Sequence, residues 1–155
     1  MSDLRSIYGE LRRQVTQLKR IGDALIQAAP LKAQHPKFVK DLSAAHRYTV
    51  NQISFAFYMI KKKIKRGLYA TNPPRVAFEA LENIFLTLRN AFEEAEYLSM
   101  RLGKKGGREA KAAKADADRM FLLAEQASKI LILEAKARGL FTRAWVKELD
   151  LGNWL

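Results

Sequence analysis

The sequence predicts an all-α protein, an up-down-up-down four-helix bundle with a short C-terminal helical extension. Apolar residues recur at alternating spacings of three and four, which is the pattern of one buried helix face. Proline and glycine clusters divide this pattern into four long segments, and none of them alternates between apolar and polar residues as a half-buried strand does. We expect a single domain whose helices cover about residues 3–29, 36–66, 74–102 and 108–138, followed by a tail at 140–155.

The first helix is predicted from its apolar seam and its two ends. Ser2 and Asp3 can accept hydrogen bonds as N-cap residues. Pro30 ends the helix, because its ring and its missing N–H cannot continue it. The seam positions are Leu4, Tyr8, Leu11, Val15, Leu18, Gly22, Leu25 and Ala29.

The second helix carries more apolar surface than one buried face needs. Pro36 is tolerated in its first turn, and Gly67 ends it. The stretch from Tyr48 to Ile60 has no charged residue and is apolar nearly all round, which indicates a helix buried on several sides. We expect this helix to be central in the bundle or to form part of an oligomer interface.

Turn residues mark the third and fourth helices. A cap cluster at 71–74 precedes the third helix. Residues 103–107 are expected to form a flexible loop rather than a phosphate-binding loop, because the spacing of a P-loop and its preceding strand are missing. The alanine-rich fourth helix begins near Arg108, Gly139 interrupts it, and 141–150 could form a short fifth helix.

Composition limits the possible function classes. Of the 155 residues 48% are apolar, which excludes wholesale disorder. The absence of cysteine excludes disulfides, thiolate metal sites and thiol nucleophiles. No apolar stretch is long enough to span a bilayer and no signal peptide is visible, so we expect a cytoplasmic protein without a membrane partner.

Positive charge is the most distinctive feature of the composition. Lys and Arg number 28 against 16 Asp and Glu, which gives a net charge of +12. Residues 30–66 carry nine of these cations and one acid, hence +8 of the total. Such an excess is typical of proteins that bind a polyanion, namely nucleic acid, an anionic membrane surface or an acidic protein. The alternative is a solvated basic surface with no such partner.

The bundle topology would collect these cations at its two ends. Residues 61–66, at the end of the second helix, contain five cations. One or two cations are enough to complement the dipole of a helix, although dipole complementation remains the alternative explanation for this cluster. No helix-turn-helix, zinc-finger or RRM motif is present, so binding to RNA or DNA would act through phosphates. The candidate nucleic-acid-binding residues are Lys61, Lys62, Lys63, Lys65, Arg66 and Arg75 at one end, and Lys104, Lys105, Arg108 and Lys111 at the other.

The sequence offers little that would support catalysis. Of the two histidines, His35 falls in a loop, and His46 falls on the apolar seam, where a hydrogen-bonded core residue is expected. No Glu is followed by His three residues later, so the di-iron bundle signature is missing. We expect no enzyme activity, no cofactor and no metal site.

Aromatic residues accompany the basic end that contains Lys61. Bases could stack there on Tyr58, Tyr69, Phe141 or Trp145, and core packing is the alternative for each ring. At the C-terminus, Trp154 and Leu155 could form a docking anchor or a frayed end.

Arg47 carries a charge inside the apolar second helix. Such a side chain needs a partner or a route to water. Antiparallel packing against the third helix would bring Arg47 opposite the later part of that helix. We expect Arg47 to pair with Glu93, Glu94 or Glu96, within the chain or across a subunit boundary, or else to extend into solvent.

The second helix also carries a family resemblance. His35-Pro36-Lys37 and His46-Arg47-Tyr48-Thr49-Val50-Asn51-Gln52 resemble a stretch of Avd, the accessory variability determinant of diversity-generating retroelements, and residues 86–92 and 124–131 resemble its later helices more loosely. The resemblance implies a basic four-helix bundle that forms a pentameric barrel. It also implies binding to the retroelement's reverse transcriptase and template RNA, without catalysis of its own.

These observations favour a non-catalytic, oligomeric accessory protein that binds RNA or DNA beside a nucleic-acid enzyme, and the resemblance implies that these partners are RNA and a reverse transcriptase. A small helical subunit of a CRISPR effector complex is an alternative of similar size, charge and helicity. A protein-interaction adaptor without nucleic-acid binding is a second alternative.

Overall fold

The computed structural model describes residues 4–65 and 74–155. The prediction of an all-α helical bundle is confirmed, and no strand occurs in the described residues. The helices are α1 (Leu4–Ala28), α2 (Pro36–Lys65), α3 (Pro74–Leu102), α4 (Gly107–Ala137) and a short α5 (Arg143–Glu148). Three single 3₁₀ turns occupy Ala29–Leu31, Lys104–Gly106 and Gly152–Trp154. The expected caps Ser2 and Asp3, the cluster at 71–73, and Gly67, Tyr69 and Arg66 lie outside the described residues.

Each long helix packs against two others. Helix α1 contacts α2 and α3, and α4 contacts α3 and α2. Helices α2 and α3 therefore face each other across the bundle diagonal, and α2 is not a central helix. Paired residues advance in the same direction along α2 and α4: Arg47 with Asp116, Ser54 with Arg119, and Lys61 with Gln126.

The core consists of a large apolar cluster and a smaller one. The large cluster takes residues from all four long helices and from Leu151 in the C-terminal segment. The smaller cluster lies where α1 ends and α2 begins, and it includes Leu25, Val39 and Leu102. Each fully buried side chain of the size of Val or Leu contributes about 1.5–3 kcal/mol to the free energy of folding. On α2 and α4, buried polar residues lie between the parts of the two clusters: His46, Thr49 and Asp116.

The connection between α3 and α4, expected to be a flexible loop, is a tight turn. Gly103 and Gly107 adopt positive φ angles of 60° and 58°, which glycine tolerates best. A Cβ on Gly106 would lie 2.8 Å from Cβ of Ala110 and 3.0 Å from Cβ of Leu102. This turn therefore brings the end of α3 against the start of α4.

The C-terminal segment folds back onto the bundle. Helix α4 ends at Ala137, where Gly139 follows with φ of 70°. Thr142 sets the start of α5, since its hydroxyl accepts a hydrogen bond from the Trp145 backbone N–H at 3.1 Å. The short fifth helix expected at 141–150 is thus confined to Arg143–Glu148.

Candidate nucleic-acid interface

The solvent face of α2 carries exposed aromatic rings among cations. The nine positions of this face, which we call the α2 stripe, follow spacings of three and four: Lys37, Asp41, Ala44, Tyr48, Asn51, Phe55, Tyr58, Lys62 and Lys65. All nine are exposed, and Tyr48, Phe55 and Tyr58 retain 65%, 62% and 48% of their accessible surface.

The exposure of these rings corrects one prediction. The stretch from Tyr48 to Ile60 was expected to be buried on several sides, but among the described helices the main neighbours of α2 are α1 and α4. Val50, Ile53 and Phe57 face that interior and are at most 1% exposed. Ala56 and Ile60 are buried as well, whereas Tyr48, Phe55 and Tyr58 stay exposed, with no helix of the described residues packed over them.

Four lysines follow the rings at the C-terminal end of α2. Lys61 Nζ donates to Gln126 Oε1 at 2.9 Å and lies 5.1 Å from the centre of the Phe57 ring. Lys62 Nζ lies 4.8 Å from the centre of the Tyr58 ring. Within the described residues, none of Lys61, Lys62, Lys63 and Lys65 forms an ion pair with a carboxylate. Four ammonium groups are thus concentrated in one turn and a half of helix.

Of the other described candidate cations, one lies at the end of the bundle where α2 ends, and four lie at the opposite end. Arg75 pairs with Glu79 at 3.3 Å and is 90% exposed. The exposed Lys104, Lys105, Arg108 and Lys111 lie at the α3–α4 turn, next to the start of α2 rather than its end. A helix of the 30 residues of α2 is about 45 Å long. The structure therefore separates the nine described candidates into two groups and does not bring them into one site.

One carboxylate is fixed near the α3–α4 turn. Lys32 Nζ donates to Glu109 Oε2 at 2.7 Å, and only 9% of the Glu109 side chain is exposed. This hydrogen bond lowers the pKa of Glu109 below its usual value, against the opposing effect of burial. Glu109 is thus the counter-charge of Lys32, whereas Lys104, Lys105, Arg108 and Lys111, like the lysines at the C-terminal end of α2, form no ion pair within the described residues.

Two acids of α3 have their partners on α3 itself and in the C-terminal segment. Glu93 lies 3.7 Å from Arg89, four residues earlier in the same helix. Glu82 accepts a hydrogen bond from Nε1 of Trp145 at 2.9 Å. Because α2 lies diagonally opposite α3, these carboxylates do not neutralise the α2 stripe.

Arg47 does not pair with the α3 acids, so that prediction is wrong. Its Nε donates to Oδ1 of Asp116 at 2.5 Å, while Nδ1 of His46 lies 2.6 Å from Oδ2 of the same carboxylate. The cause is the arrangement of the helices, which places α4 and not α3 beside α2. His46 and Asp116 are each 2% exposed, and the prediction of a hydrogen-bonded core histidine is confirmed. Asp116 was missed, although its place between Ala113 and Ala117 on an apolar seam signals a paired acid.

Trp145, a candidate for base stacking, and Trp154, a candidate docking anchor, both pack against rings of this chain. The ring centres of Trp145 and Phe78 are 5.8 Å apart. Trp154 lies 5.3 Å from Phe121 in a stacked arrangement and 5.4 Å from Phe85 edge to face. Each tryptophan ring packs against phenylalanine rings of the same chain, so neither tryptophan is available as an anchor for a partner.

Phe141 and Leu155 differ from the tryptophans. Phe141 lies 5.0 Å below the Lys136 ammonium and is 37% exposed. Leu155 is 68% exposed at the end of the segment. Of the rings expected near Lys61, only Tyr58 lies beside these lysines in the described residues.

Comparisons with known proteins identify no relative. The sequence matches no known family, no curated protein and no solved structure. None of the helices within 4–65 and 74–155 is long and apolar enough to cross a bilayer. In that part of the chain no group of His, Asp and Glu side chains could hold a metal ion.

Proposed function

We propose that this protein binds nucleic acid, with RNA preferred, through phosphate contacts to the C-terminal half of α2, and that it does not catalyse a reaction. The observation that carries this proposal is the set of four lysines at 61, 62, 63 and 65 without carboxylate partners in the described residues. A polyanion placed there would relieve the mutual repulsion of the lysines and release its own condensed counterions.

The uneven distribution of charge among the helices also supports a binding surface on α2. Helix α2 carries one acid, Asp41, whereas α3 carries Glu79, Glu82, Glu93, Glu94 and Glu96. Because these two helices lie diagonally opposite each other, the acids of α3 lie away from the basic surface of α2, and of the acids on its neighbour α4, Asp116 pairs with Arg47. We place the binding surface on α2, and we do not extend it to the lysines of the α3–α4 turn.

The accessory role beside a reverse transcriptase, and assembly into a homo-oligomer, rest on the resemblance of the second helix to Avd. In this chain His46 and Arg47 of that stretch join α2 to α4 through Asp116. The following residues, Tyr48 and Asn51, belong to the α2 stripe. The stretch that carries the resemblance thus both fixes α2 and contributes to its exposed face.

A salt titration tests the proposal. Labelled single-stranded RNA of mixed sequence would be titrated with the full chain between about 50 and 200 mM salt, and binding measured by fluorescence anisotropy. We expect measurable affinity at the lower salt concentration and a linear fall of log K with log salt. No binding at the lowest salt, together with binding of an acidic polypeptide such as polyglutamate, would favour the protein-interaction adaptor instead.

A second experiment separates the accessory roles. The protein would be purified from its native host and the molecules that accompany it identified by mass spectrometry and RNA sequencing. We expect a reverse transcriptase and its template RNA. Recovery of CRISPR effector subunits with a guide RNA would overturn the retroelement role while leaving nucleic-acid binding intact.

A further inference from the structure

We infer that the α2 stripe is a stacking site for unpaired bases, so that the nucleic acid bound by this protein is single-stranded. This inference rests on the proposed function and specifies its substrate class. Tyr48, Phe55 and Tyr58 would each take a base on the ring face, and the lysines beside them would take the phosphates.

The first observation is the arrangement of the rings. Tyr48, Phe55 and Tyr58 lie on one solvent face of one helix, each about half exposed or more. The axial distance from Tyr48 to Phe55 is about 10 Å, and that from Phe55 to Tyr58 about 4.5 Å. Every base has a π-face, so a row of exposed rings can bind a single strand without selecting its sequence.

The second observation is that a cation lies over one of the rings. Lys62 Nζ is 4.8 Å from the Tyr58 ring centre, and Lys65 continues the same face one turn later. Lys37 lies on that face at the other end of the helix. A strand whose bases stack on the rings therefore has its phosphates within reach of ammonium groups, which is the combination that single-strand binders use.

A duplex and a second copy of the chain fit this face less well. In a duplex the faces of the bases are already stacked on one another, so the rings would contact only the backbone and the groove edges. A second copy would bring the same surplus of cations against this one. On α2 four exposed lysines, Lys37, Lys40, Lys62 and Lys65, accompany a single acid, Asp41.

The test compares ring variants on single-stranded and duplex RNA of the same sequence. Tyr48→Gln, Phe55→Gln and Tyr58→Gln would be made singly, because glutamine is compatible with an exposed helical position. For each ring that stacks, we expect single-strand affinity to fall at least about fivefold. Duplex affinity and the salt slope should stay as in the unmodified protein, because no phosphate contact is removed.

The chain contains a matched control. Tyr97 on α3 is 47% exposed and has a cation four residues later, Arg101, whose guanidinium lies 5.7 Å from its ring centre. This repeats the Tyr58–Lys62 arrangement on the diagonally opposite helix. Tyr97→Gln should leave single-strand affinity unchanged, and circular dichroism should confirm that every variant is folded.

The outcomes separate the two proposals. If the unmodified protein binds neither RNA form, the proposed function fails, and this inference with it. If it binds both forms equally and the three ring variants bind as well as the unmodified protein, stacking is wrong while phosphate binding stands. If the ring variants keep RNA affinity but change an oligomer into a monomer by light scattering, the stripe is a self-association surface and the inference is overturned.

Discussion

Two aromatic regions of this molecule differ in their exposure to solvent. On the α3 and α4 side, the C-terminal segment folds back so that Trp145 and Trp154 pack against phenylalanines of the bundle. On the α2 side, the rings of the α2 stripe stay about half exposed or more, because no segment of the described chain returns to cover them. Both regions are aromatic, with tryptophan and phenylalanine in one and tyrosine and phenylalanine in the other, and they differ in whether a later segment of the described chain packs over them.

The covered region is held by more than ring contacts. Leu151 is fully buried in the large core cluster, and Arg89 donates to the carbonyl oxygens of Leu149 and Asp150 at 2.7 and 3.1 Å. Carbonyl groups at the end of α5 are thereby satisfied. The α2 stripe has no such attachment, so its rings are available to a partner from outside the chain.

Removing the anchor of the covered region should have the largest effect. Leu151→Ala should lower the free energy of unfolding by about 2–5 kcal/mol, because it creates a cavity under the C-terminal segment. Urea denaturation followed by tryptophan fluorescence measures this directly. The matched control is Leu155→Ala, which removes a 68% exposed leucine from the same segment and should change stability by less than about 0.5 kcal/mol. Equal effects of the two substitutions would show that the segment does not dock.

The attachment of α2 to α4 should give the next largest effect. Arg47→Ala leaves the buried Asp116 with His46 as its remaining side-chain partner and should cost about 1.5–3 kcal/mol in unfolding free energy. Because 48% of the Arg47 side chain is exposed, the loss should stay below that for a fully buried pair. The control is Arg13→Ala, since Arg13 pairs with Glu10 while 74% exposed and should cost less than about 1 kcal/mol. A loss no larger than that of the control would mean that the Arg47–Asp116 contact adds no stability.

The smallest effect concerns the bound counter-charge at the α3–α4 turn. The hydrogen bond from Lys32 lowers the pKa of Glu109, so the ionised carboxylate stabilises the fold above its unfolded pKa, and this contribution is lost as pH falls through the lower folded pKa. Glu109→Gln should therefore cost about 1 kcal/mol at neutral pH and progressively less in acid. Urea denaturation at pH 7 and pH 3 measures the difference. A cost that does not depend on pH would contradict the role of the charge.

The sequence predicted the helices well because periodicity and turn residues act locally. Pro36 and Pro74 begin the helices they were expected to begin, and glycines follow α3 and α4 as expected. The partner of Arg47 was not predictable, because it depends on which helices are neighbours, and short connections do not determine that order. Which rings are covered was not predictable either. The same apolar periodicity occurs in α3 and α4, which the C-terminal segment covers, and in α2, whose stripe stays exposed.

The central claim is that the C-terminal half of α2 binds the phosphates of a single strand. The most direct test measures the salt slope of RNA binding for two matched quadruple variants. One replaces Lys61, Lys62, Lys63 and Lys65 with Gln, and the other replaces Lys104, Lys105, Arg108 and Lys111. The first variant should lower the slope by about 0.7 for each phosphate that the protein no longer neutralises, hence by up to about three units, and the second should leave it nearly unchanged. An unchanged slope in the first variant, or an equal decrease in both, would contradict the claim.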